Sequence, residues 1–152
     1  MQFDGIDSQI VAALQQDGTL TTEALGEQLG LSASQAGRRK ARLEKLRVIT
    51  GYVAKVDANA LGIGVQAFVQ VQMATHNPDL VREFTRIVEI EPRVTAAFTM
   101  TGDADYLLRV SCSDLSDLND LIHERILPLS AVARVQSQIV MSQLKADSPL
   151  PI

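Results

Sequence analysis

The sequence has a single cysteine and no long apolar run, and each deficit excludes a class of protein. Cys112 cannot form an internal disulfide or help to build a cysteine-rich zinc site, so we expect a small buried hydrophobe in a reducing cytoplasm. No apolar run approaches the ~20 residues that a membrane-spanning helix needs. Residues 1–10 contain acids but no basic segment, which argues against a signal peptide. The expected protein is cytoplasmic and has no membrane partner.

Catalytic and metal-binding patterns are also missing from the sequence. It contains no Ser/His/Asp or Cys/His pairing, no phosphate-binding glycine loop, and no acids or histidines that recur at metal-ligand spacing. His76 and His123 are predicted in a loop and on a helix surface, as ordinary exposed residues. We therefore expect no enzyme activity, no cofactor and no metal site.

The formal net charge of the 152-residue chain is −4, but the charges are unevenly distributed. Residues 1–60 hold seven basic and seven acidic side chains, whereas residues 61–152 hold seven basic and eleven acidic ones. The neutral first half concentrates its positive charge between residues 38 and 47. Two small domains with different functions explain this distribution better than one domain does.

The chain in and before this basic segment is predicted to form two helices joined by a tight turn. Thr21 or Thr22 is a suitable N-cap for the first helix. Gly30 suits the left-handed conformation that ends a helix. The second helix is expected to begin at Ser32 or Ser34.

The second of these helices divides into two faces. Ala36, Leu43 and Leu46 point to one side, and polar and basic residues lie on the other. A helix-turn-helix protein places such a helix in the DNA major groove, where long cationic side chains meet phosphates and base edges. The alternative is a basic face that is merely solvated. We predict DNA binding, and the candidate residues are Ser32, Ser34, Gln35, Arg38, Arg39 and Arg42.

A further helix and a linker complete the first domain. A helix is predicted from Phe3 to Gln16, with an apolar stripe that packs beneath the helix-turn-helix. The residues from Val48 to Asp57 are β-branched and alternating, which indicates a short hairpin or wing leading into a linker strand. The predicted boundaries are residues 1–50 for the helix-turn-helix domain, 51–64 for the linker strand, 65–145 for the second domain and 146–152 for a tail.

The second half alternates strands and helices in the order β-α-β-β-α-β. The predicted strands are Val65–Met73, Val94–Thr101, Tyr106–Ser113 and Val132–Leu144. One predicted helix begins at Asn77 and ends near Pro92, and the other begins at Asp114 or Ser116 and ends before Pro128. This order is ferredoxin-like, with two helices on one face of a four-stranded antiparallel sheet. The predicted fold class is α+β, a winged helix-turn-helix followed by a βαββαβ domain.

The sheet face that the helices leave uncovered mixes polar and apolar side chains. Such a face suits a sheet-on-sheet homodimer, in which glutamines hydrogen-bond across the interface and Phe68 is buried. The alternative is a solvated sheet face. The candidate dimer interface is Gln66, Phe68, Gln70 and Gln72. The other strands are expected to add Thr95, Ala97, Thr99, Leu107, Arg109, Ser111, Gln136, Gln138 and Val140 to the same face.

The turn from Gly102 to Tyr106 is the candidate small-molecule site. Asp103 and Asp105 are able to accept the ammonium group of a ligand, while backbone N–H groups take its carboxylate. The alternative is that Asp and Gly occur here only because they suit turn geometry.

Two motifs, in this order, resemble those of a known family. They are LGLSASQAGRRKARLEKLRVITGY at residues 29–52 and TGDADYLLRV at residues 101–110. Together with the order of elements, they make the chain similar to the Lrp/AsnC (feast/famine) transcriptional regulators. The resemblance implies a dimer joined through the C-terminal sheets, further assembly into tetramers or octamers, and an amino acid or similar metabolite bound between dimers. The candidate ligand residues are Thr99, Thr101, Gly102, Asp103, Asp105 and Tyr106.

The predicted function is sequence-specific, DNA-binding transcriptional regulation in response to an amino acid or related small metabolite. The expected partners are double-stranded DNA, this effector and further copies of the chain. Two alternatives stay open. One is a DNA-organising protein with little sequence choice, because phosphate contacts alone give affinity. The other is a small ferredoxin-like enzyme with a helical appendage.

Overall fold

The computed structural model describes residues 3–152, which form two compact units. The helical unit contains the chain up to Lys55 together with Lys145–Ile152, and the sheet unit is Val56–Leu144. Residues 1 and 2, where the first predicted domain begins, lie outside the described residues. The last eight residues belong to the helical unit, although they follow the last strand of the sheet unit.

The helical unit is built from three helices, each of which begins at a polar cap. They are α1 (Gly5–Gln16), α2 (Thr22–Leu29) and α3 (Ala33–Lys45). The caps are Asp4, Thr21 and Ser32, whose side-chain oxygens accept hydrogen bonds from backbone N–H groups of the first turn. Gly30 ends α2 with a φ of 66°, in the left-handed region, as the sequence predicts.

The core of the helical unit is small and entirely apolar. The buried residues Ile10, Leu14, Leu25, Ala36 and Leu43 meet between the three helices. Each buried Leu or Ile contributes about 1.5–3 kcal/mol relative to an exposed side chain. This core fixes α3 by one face only, so the opposite face of α3 is left for other contacts.

Leu46 does not belong to this core, in contrast to the prediction. It is 45% exposed, because α3 ends at Lys45 and the chain then turns away. Arg47 has a φ of 59°, the only non-glycine residue with a positive φ in residues 3–152. Val48 and Ile49 come next and pack against the core in its place.

The predicted hairpin or wing and the linker strand do not form in the described chain. After Ile49 the backbone is irregular, and its regular structure resumes only with a 3₁₀ turn at Asn59–Leu61. A strand requires a neighbouring backbone that takes its hydrogen bonds, and this segment pairs with none in residues 3–152. Val53 and Val56 are 92% and 67% exposed, so the alternation that suggested a strand has no core beneath it.

The sheet unit has the predicted βαββαβ order. Its strands are β1 (Val65–Met73), β2 (Val94–Thr99), β3 (Tyr106–Cys112) and β4 (Val132–Ile139), and its helices are α4 (Pro78–Ile90) and α5 (Leu115–Asp120), which continues as a π-helical turn to Ile126. The four strands form one antiparallel sheet in the order β2-β3-β1-β4. The α+β fold class predicted from the sequence is therefore confirmed.

The inner face of the sheet follows the predicted alternation. Ala67, Val69 and Val71 of β1 are fully buried, and their neighbours on β3 include Leu108 and Val110. The helices cover this layer with Phe84, Val88, Leu118, Leu121 and Ile126. Period-two patterning specifies this face because a one-residue shift would expose every one of these side chains.

Strand β2 departs from the predicted alternation. A bulge between Val94 and Ala96 shifts its register, so Ala97 lies opposite Leu108 and Thr99 opposite Tyr106, on the helix side of the sheet. The prediction that Ala97 and Thr99 lie on the uncovered face is therefore wrong. Ala96 and Phe98 take that face, and Phe98 is 51% exposed. A bulge adds one residue to a strand and inverts the side-chain parity beyond it.

The other strands place their outer-face residues as predicted, except that β4 ends at Ile139 and not at Leu144, so Val140 follows the strand instead of belonging to it. Phe68 lies opposite Arg109 of β3 and Gln138 of β4, and Gln70 lies opposite Leu107 and Gln136. Thr95, at the bulge, donates a hydrogen bond to the Arg109 carbonyl oxygen at 3.1 Å. We refer to this uncovered side, whose centre is Phe68 and Gln70, as the outer sheet face.

Candidate nucleic-acid interface and effector site

The face of α3 that points away from the core carries a row of exposed residues. Ser34, Arg38, Ala41 and Lys45 follow one another at spacings of four, three and four, opposite the buried Ala36 and Leu43. Such spacings keep side chains on one face of a helix. We refer to Ser34, Arg38 and Lys45 as the exposed stripe. It presents two cations and a hydroxyl to solvent.

Two of the three predicted DNA-binding arginines instead have partners on α1. Arg39 Nη1 lies 2.8 Å from Asp4 Oδ2 and 2.9 Å from Asp7 Oδ1, and Arg42 Nη2 pairs with Asp7 Oδ2. The Asp7 side chain is fully buried, whereas Arg39 and Arg42 are 28% and 48% exposed. The structure thus separates Arg38, which has no ion pair among residues 3–152, from two arginines that fasten α3 to α1.

Within this contact, the charged forms of Asp4 and Arg39 stabilise each other. The hydrogen bond from Arg39 is the largest cause that lowers the pKa of Asp4, and the Asp7 backbone N–H adds to it. In return, the Asp4 and Asp7 carboxylates raise the pKa of Arg39. A buried carboxylate such as Asp7 is tolerated only when such partners compensate for its lost hydration.

Ser32 and Gln35 shape the beginning of α3 rather than standing free. The Gln35 backbone N–H donates to Ser32 Oγ at 3.2 Å, and the Ser32 backbone N–H donates to Gln35 Oε1 at 2.9 Å. This capping box fixes the first turn, where unpaired N–H groups and the helix dipole favour an anion such as a phosphate. The Gln35 amide nitrogen keeps its donors for a further contact.

The other side of α3 is held by the segment that follows it. The Tyr52 hydroxyl donates to Glu44 Oε1 at 2.9 Å, and Lys40 Nζ lies 5.1 Å from the centroid of the Tyr52 ring. Burial, together with the Glu44 carboxylate, raises the pKa of Tyr52 to about 12. Lys40 and Glu44 therefore serve the fold of the helical unit.

The turn after β2 in the sheet unit uses one of its two candidate carboxylates structurally. Asp105 Oδ2 accepts a hydrogen bond from the Met73 backbone N–H at 2.7 Å, and the Asp105 backbone N–H donates to the Val71 carbonyl at 3.0 Å. Asp105 thus joins the turn to the end of β1. Asp103, by contrast, is exposed and has no hydrogen bond or ion pair among residues 3–152.

Asp103 lies between two shallow cavities on the outer sheet face. The larger, of about 260 Å³, is lined by Gln70, Met100, Thr101, Asp103, Ala104 and Leu107. The smaller, of about 130 Å³, is polar and lined by Gln70, Gln72, Asp103, Ala104, Arg134 and Gln136. The carboxylate of Asp103 and the guanidinium of Arg134 therefore border one space, and they have opposite charges that match the two ends of an amino acid.

The structure does not bring all six predicted ligand residues together. Thr101 and Asp103 border the outer face, and Gly102 supports the turn between them with a φ of 110°. Thr99 and Tyr106 instead line a groove of about 280 Å³ on the helix side of the sheet, where the Tyr106 ring packs 4.8 Å from that of Phe84. The β2 bulge accounts for the position of Thr99.

Arg134, which borders the smaller cavity, is not singled out by any pattern in the sequence. It is 31 residues from Asp103 along the chain, and no local pattern links the two. Its place opposite Gln72 follows from the pairing of β1 with β4. Only a prediction of the register between β1 and β4 would place Arg134 near Asp103.

Two negative findings apply to residues 3–152. No group of three His, Cys, Asp or Glu side chains in this range is arranged to hold a metal ion. None of its helices has both the length and the apolar character needed to cross a bilayer.

The three-helix unit with an exposed cationic stripe, joined to a ferredoxin-like unit, defines a helix-turn-helix regulator with a separate ligand-binding domain. Comparison with known families agrees with this class. The AsnC-type helix-turn-helix domain matches residues 3–44, and the Lrp/AsnC ligand binding domain matches residues 66–150. The chain belongs to the Lrp/AsnC family of transcriptional regulators.

Individual relatives are similar over nearly the whole chain. The DNA-binding transcriptional activator DecR of Escherichia coli K12 is 32% identical over 150 residues, which is 99% of each protein. A transcriptional regulator from Neisseria meningitidis, solved as its L-Met complex, has a TM-score of 0.95 at 30% identity, covering 99% of this chain and 97% of that one. A feast or famine regulatory protein from M. tuberculosis, complexed with L-methionine, has a TM-score of 0.86 at 29% identity, covering 96% and 97%.

The predicted class of function is thereby confirmed. The chain is a DNA-binding transcriptional regulator of a family whose members respond to amino acids. The relatives named here are regulators and not enzymes.

The division of the arginines gives a prediction about folding. Arg39→Ala leaves the buried Asp7 carboxylate with Arg42 alone, and we expect it to lower the free energy of unfolding of the helical unit, because one partner of a buried charge is removed. Arg38→Ala is the matched control and is expected to change it by less than ~0.5 kcal/mol. Hydrogen exchange of the buried Leu43 amide measures the stability of this unit. Equal effects of the two substitutions would contradict the structural role of Arg39.

Proposed function

We propose that α3 is the recognition helix and that the exposed stripe carries the contacts with duplex DNA. The observation that supports this most is the position of Ser34, Arg38 and Lys45 on the face of α3 opposite its buried side chains. Ser34 and Arg38 lie toward the N-terminal part of the helix, which contacts base edges in helix-turn-helix proteins. Lys45, at the other end of α3, is positioned to contact a DNA phosphate.

A regulator of this kind acts on DNA, and we propose that the protein is located in the cytoplasm.

The remaining predicted residues take supporting roles in this proposal. Ser32 and Gln35 fix the first turn of α3 and aim its N–H groups at a phosphate, while Gln35 keeps amide donors for a base or phosphate. Arg39 and Arg42 hold the angle of α3 on α1 through Asp7. Arg42 is about half exposed and adds positive charge beside the stripe.

A DNA-binding prediction separates base reading from phosphate contact. Arg38→Ala should weaken binding to a selected promoter duplex by about 1–3 kcal/mol and affect a random duplex less, because a base contact is sequence-specific. Lys45→Ala should weaken both duplexes similarly and lower the slope of log affinity against log salt by about one. Fluorescence anisotropy at two salt concentrations measures both quantities.

The matched control is Arg82→Ala, because Arg82 is an exposed arginine of the sheet unit, paired with Asp79. We expect it to bind DNA like the parent protein. If Arg38→Ala lowers affinity equally for promoter and random duplexes, the alternative of a DNA-organising protein with little sequence choice is favoured. If Arg38→Ala has no effect at all, α3 is not the reader.

We propose further that the chain forms a homodimer through the outer sheet face, and that dimers associate into tetramers or octamers. The face supports this because it places Phe68 and Leu107 beside Gln66, Gln70 and Gln72, with half-exposed Phe98 at one edge. An apolar centre with amides around it is typical of a protein interface. The exposed Val53 and Val56 of the linker give a second surface, and we propose that the linker pairs as a strand only within the assembly.

The dimer is tested by a charge at its centre. Phe68→Asp places an unpaired carboxylate in the proposed interface, which costs several kcal/mol, and should give a monomer in light scattering. The control is Leu115→Asp, since Leu115 is 59% exposed at the start of α5 on the helix side. Leu115→Asp should stay dimeric. A folded Phe68→Asp dimer would place the interface elsewhere.

We propose that the effector is an amino acid bound at the turn between β2 and β3, where a second dimer is able to close over it. Asp103 accepts its ammonium group, and backbone N–H groups of the turn, with Arg134 nearby, receive its carboxylate. The shared cavity of Asp103 and Arg134 supports this arrangement. L-Methionine is the first candidate, because two structural relatives were solved with it. Asp105 positions the turn, and Thr99 and Tyr106 support it from the other side.

The effector prediction distinguishes the two aspartates. Asp103→Asn removes the charge that pairs with the ammonium group and should weaken L-methionine binding at least about tenfold in calorimetry, because hydrogen bonds to charged groups contribute about 1.5–3 kcal/mol. DNA binding without effector should be unchanged. Asp79→Asn alters an exposed carboxylate of α4 and serves as the control. Parent-like affinity in Asp103→Asn would contradict the site, and a screen in which no amino acid binds the parent protein would contradict the effector class.

A further inference from the structure

The last eight residues, KADSPLPI, belong to the helical unit although they follow the last strand of the sheet unit. The chain therefore passes between the two units twice, at Lys55–Val56 and at Leu144–Lys145. The first passage is the linker of the domain prediction. The second was predicted only as a tail.

A pair of reciprocal hydrogen bonds fastens the tail to α1. Gln15 Nε2 donates to the Leu150 carbonyl oxygen at 3.2 Å, and the Leu150 backbone N–H donates to Gln15 Oε1 at 2.7 Å. The Gln15 amide thus hydrogen-bonds both the N–H and the C=O of Leu150, as a residue of a neighbouring strand does in a sheet. Such a contact depends on one backbone conformation at Leu150.

The sequence around Leu150 prepares that conformation. Pro149 and Pro151 flank it, and a residue that precedes a proline is biased toward extended backbone. Proline has no backbone N–H, so Leu150 holds the only backbone donor of these three residues, and this is the donor that Gln15 receives. The two prolines also reduce the entropy that the tail loses on docking.

The end of the tail forms one wall of an apolar cavity of the helical unit, and Leu150 and Ile152 stay 75% and 61% exposed. The cavity has a volume of about 440 Å³ and is lined by Leu150, Pro151 and Ile152 together with Phe3, Val11, Leu14 and residues 48–52. The connection before the tail is fully solvated, since Met141 and Leu144 are 99% and 97% exposed. The attachment is thus confined to the end of the chain.

We propose that Lys145–Ile152 is a strap, whose end is held on its own helical unit by the Gln15–Leu150 hydrogen bonds and gives the sheet unit a second, reversible connection to that unit. When the strap is docked, two connections limit the movement of the helical unit relative to the sheet unit. When it is released, only the linker remains. This inference concerns the helical unit whatever DNA or effector it binds, so its failure is distinct from a failure of the proposed function.

Docking is tested by amide hydrogen exchange on the full-length protein. The Leu150 N–H should exchange at least about tenfold more slowly than in an unstructured chain, because it is hydrogen-bonded in the docked state. Gln15→Ala should return it to the unstructured rate. Gln16→Ala, which alters the exposed neighbour, is the control and should leave Leu150 protected. An unprotected Leu150 in the parent protein, or full protection in Gln15→Ala, would overturn the proposal.

The second connection has its own readout in ¹⁵N relaxation, which reports how fast each unit tumbles. Gln15→Ala should shorten the rotational correlation time of the helical unit and leave its fold intact, whereas Gln16→Ala should not change it. Equal correlation times in the two variants would show that the tail is a passive extension.

A mixing experiment shows which chain supplies the tail. Isotope-labelled Gln15→Ala protein, which has an intact tail, is mixed with unlabelled protein that ends at Leu144 and keeps Gln15. An own-chain strap predicts that the labelled Leu150 N–H stays unprotected in the mixture. Protection would mean that the tail docks on a second copy, and would contradict the proposed strap.

Discussion

The buried carboxylate of Asp7 is the contact on which the helical unit depends. It accepts the Asp4 backbone N–H at the start of α1 and receives both Arg39 and Arg42 from α3. A carboxylate removed from water is costly unless its oxygens are hydrogen-bonded, and these three donors compensate Asp7 for its lost hydration. The angle of α3 follows from this cluster as much as from the apolar core. Because Arg39 and Arg42 are held against α1, the exposed stripe of α3 faces away from α1.

The turn of the sheet unit also combines a structural carboxylate with an exposed one. Of two aspartates two residues apart, Asp105 is used by the Met73 backbone, and Asp103 is left exposed beside Arg134. In both units a charged cluster that resembles a binding site proves to be half structural. A side chain that is already hydrogen-bonded within the fold must give up those bonds to bind a ligand. An exposed side chain beside a cavity gives up only its hydrogen bonds to water. Partners within the fold are therefore the best guide to which charges remain for function.

Local features of the fold were readable from the sequence, and long-range ones were not. Caps at Thr21 and Ser32, the end of α2 at Gly30 and the inner face of β1 each depend on residues within a few positions, and the structure agrees with them. The pairing of Arg39 with Asp7 joins residues 32 apart, and no periodicity reports it. The β2 bulge arises from how β2 meets β3, so strict alternation placed Thr99 on the wrong face. The linker looked like a strand because alternation describes a side-chain pattern and does not supply a pairing partner.

The two units differ in net charge, and this difference bears on the proposed DNA binding. The sheet unit holds six basic and eleven acidic residues, and the helical unit holds eight basic and seven acidic ones. The net negative charge of the sheet unit therefore repels DNA at distances up to a Debye length, about 8 Å at physiological salt. The helical unit is nearly neutral, so its net charge neither attracts nor repels DNA strongly. Within that unit, Asp4 and Asp7 neutralise Arg39 and Arg42 directly, so cations that have no acidic partner in residues 3–152, among them Arg38, Lys40, Lys45 and Arg47, supply the positive field near α3. The proposed DNA contact is compatible with a net acidic chain, because salt screens the repulsion from the sheet unit at long range while the exposed stripe acts at close range.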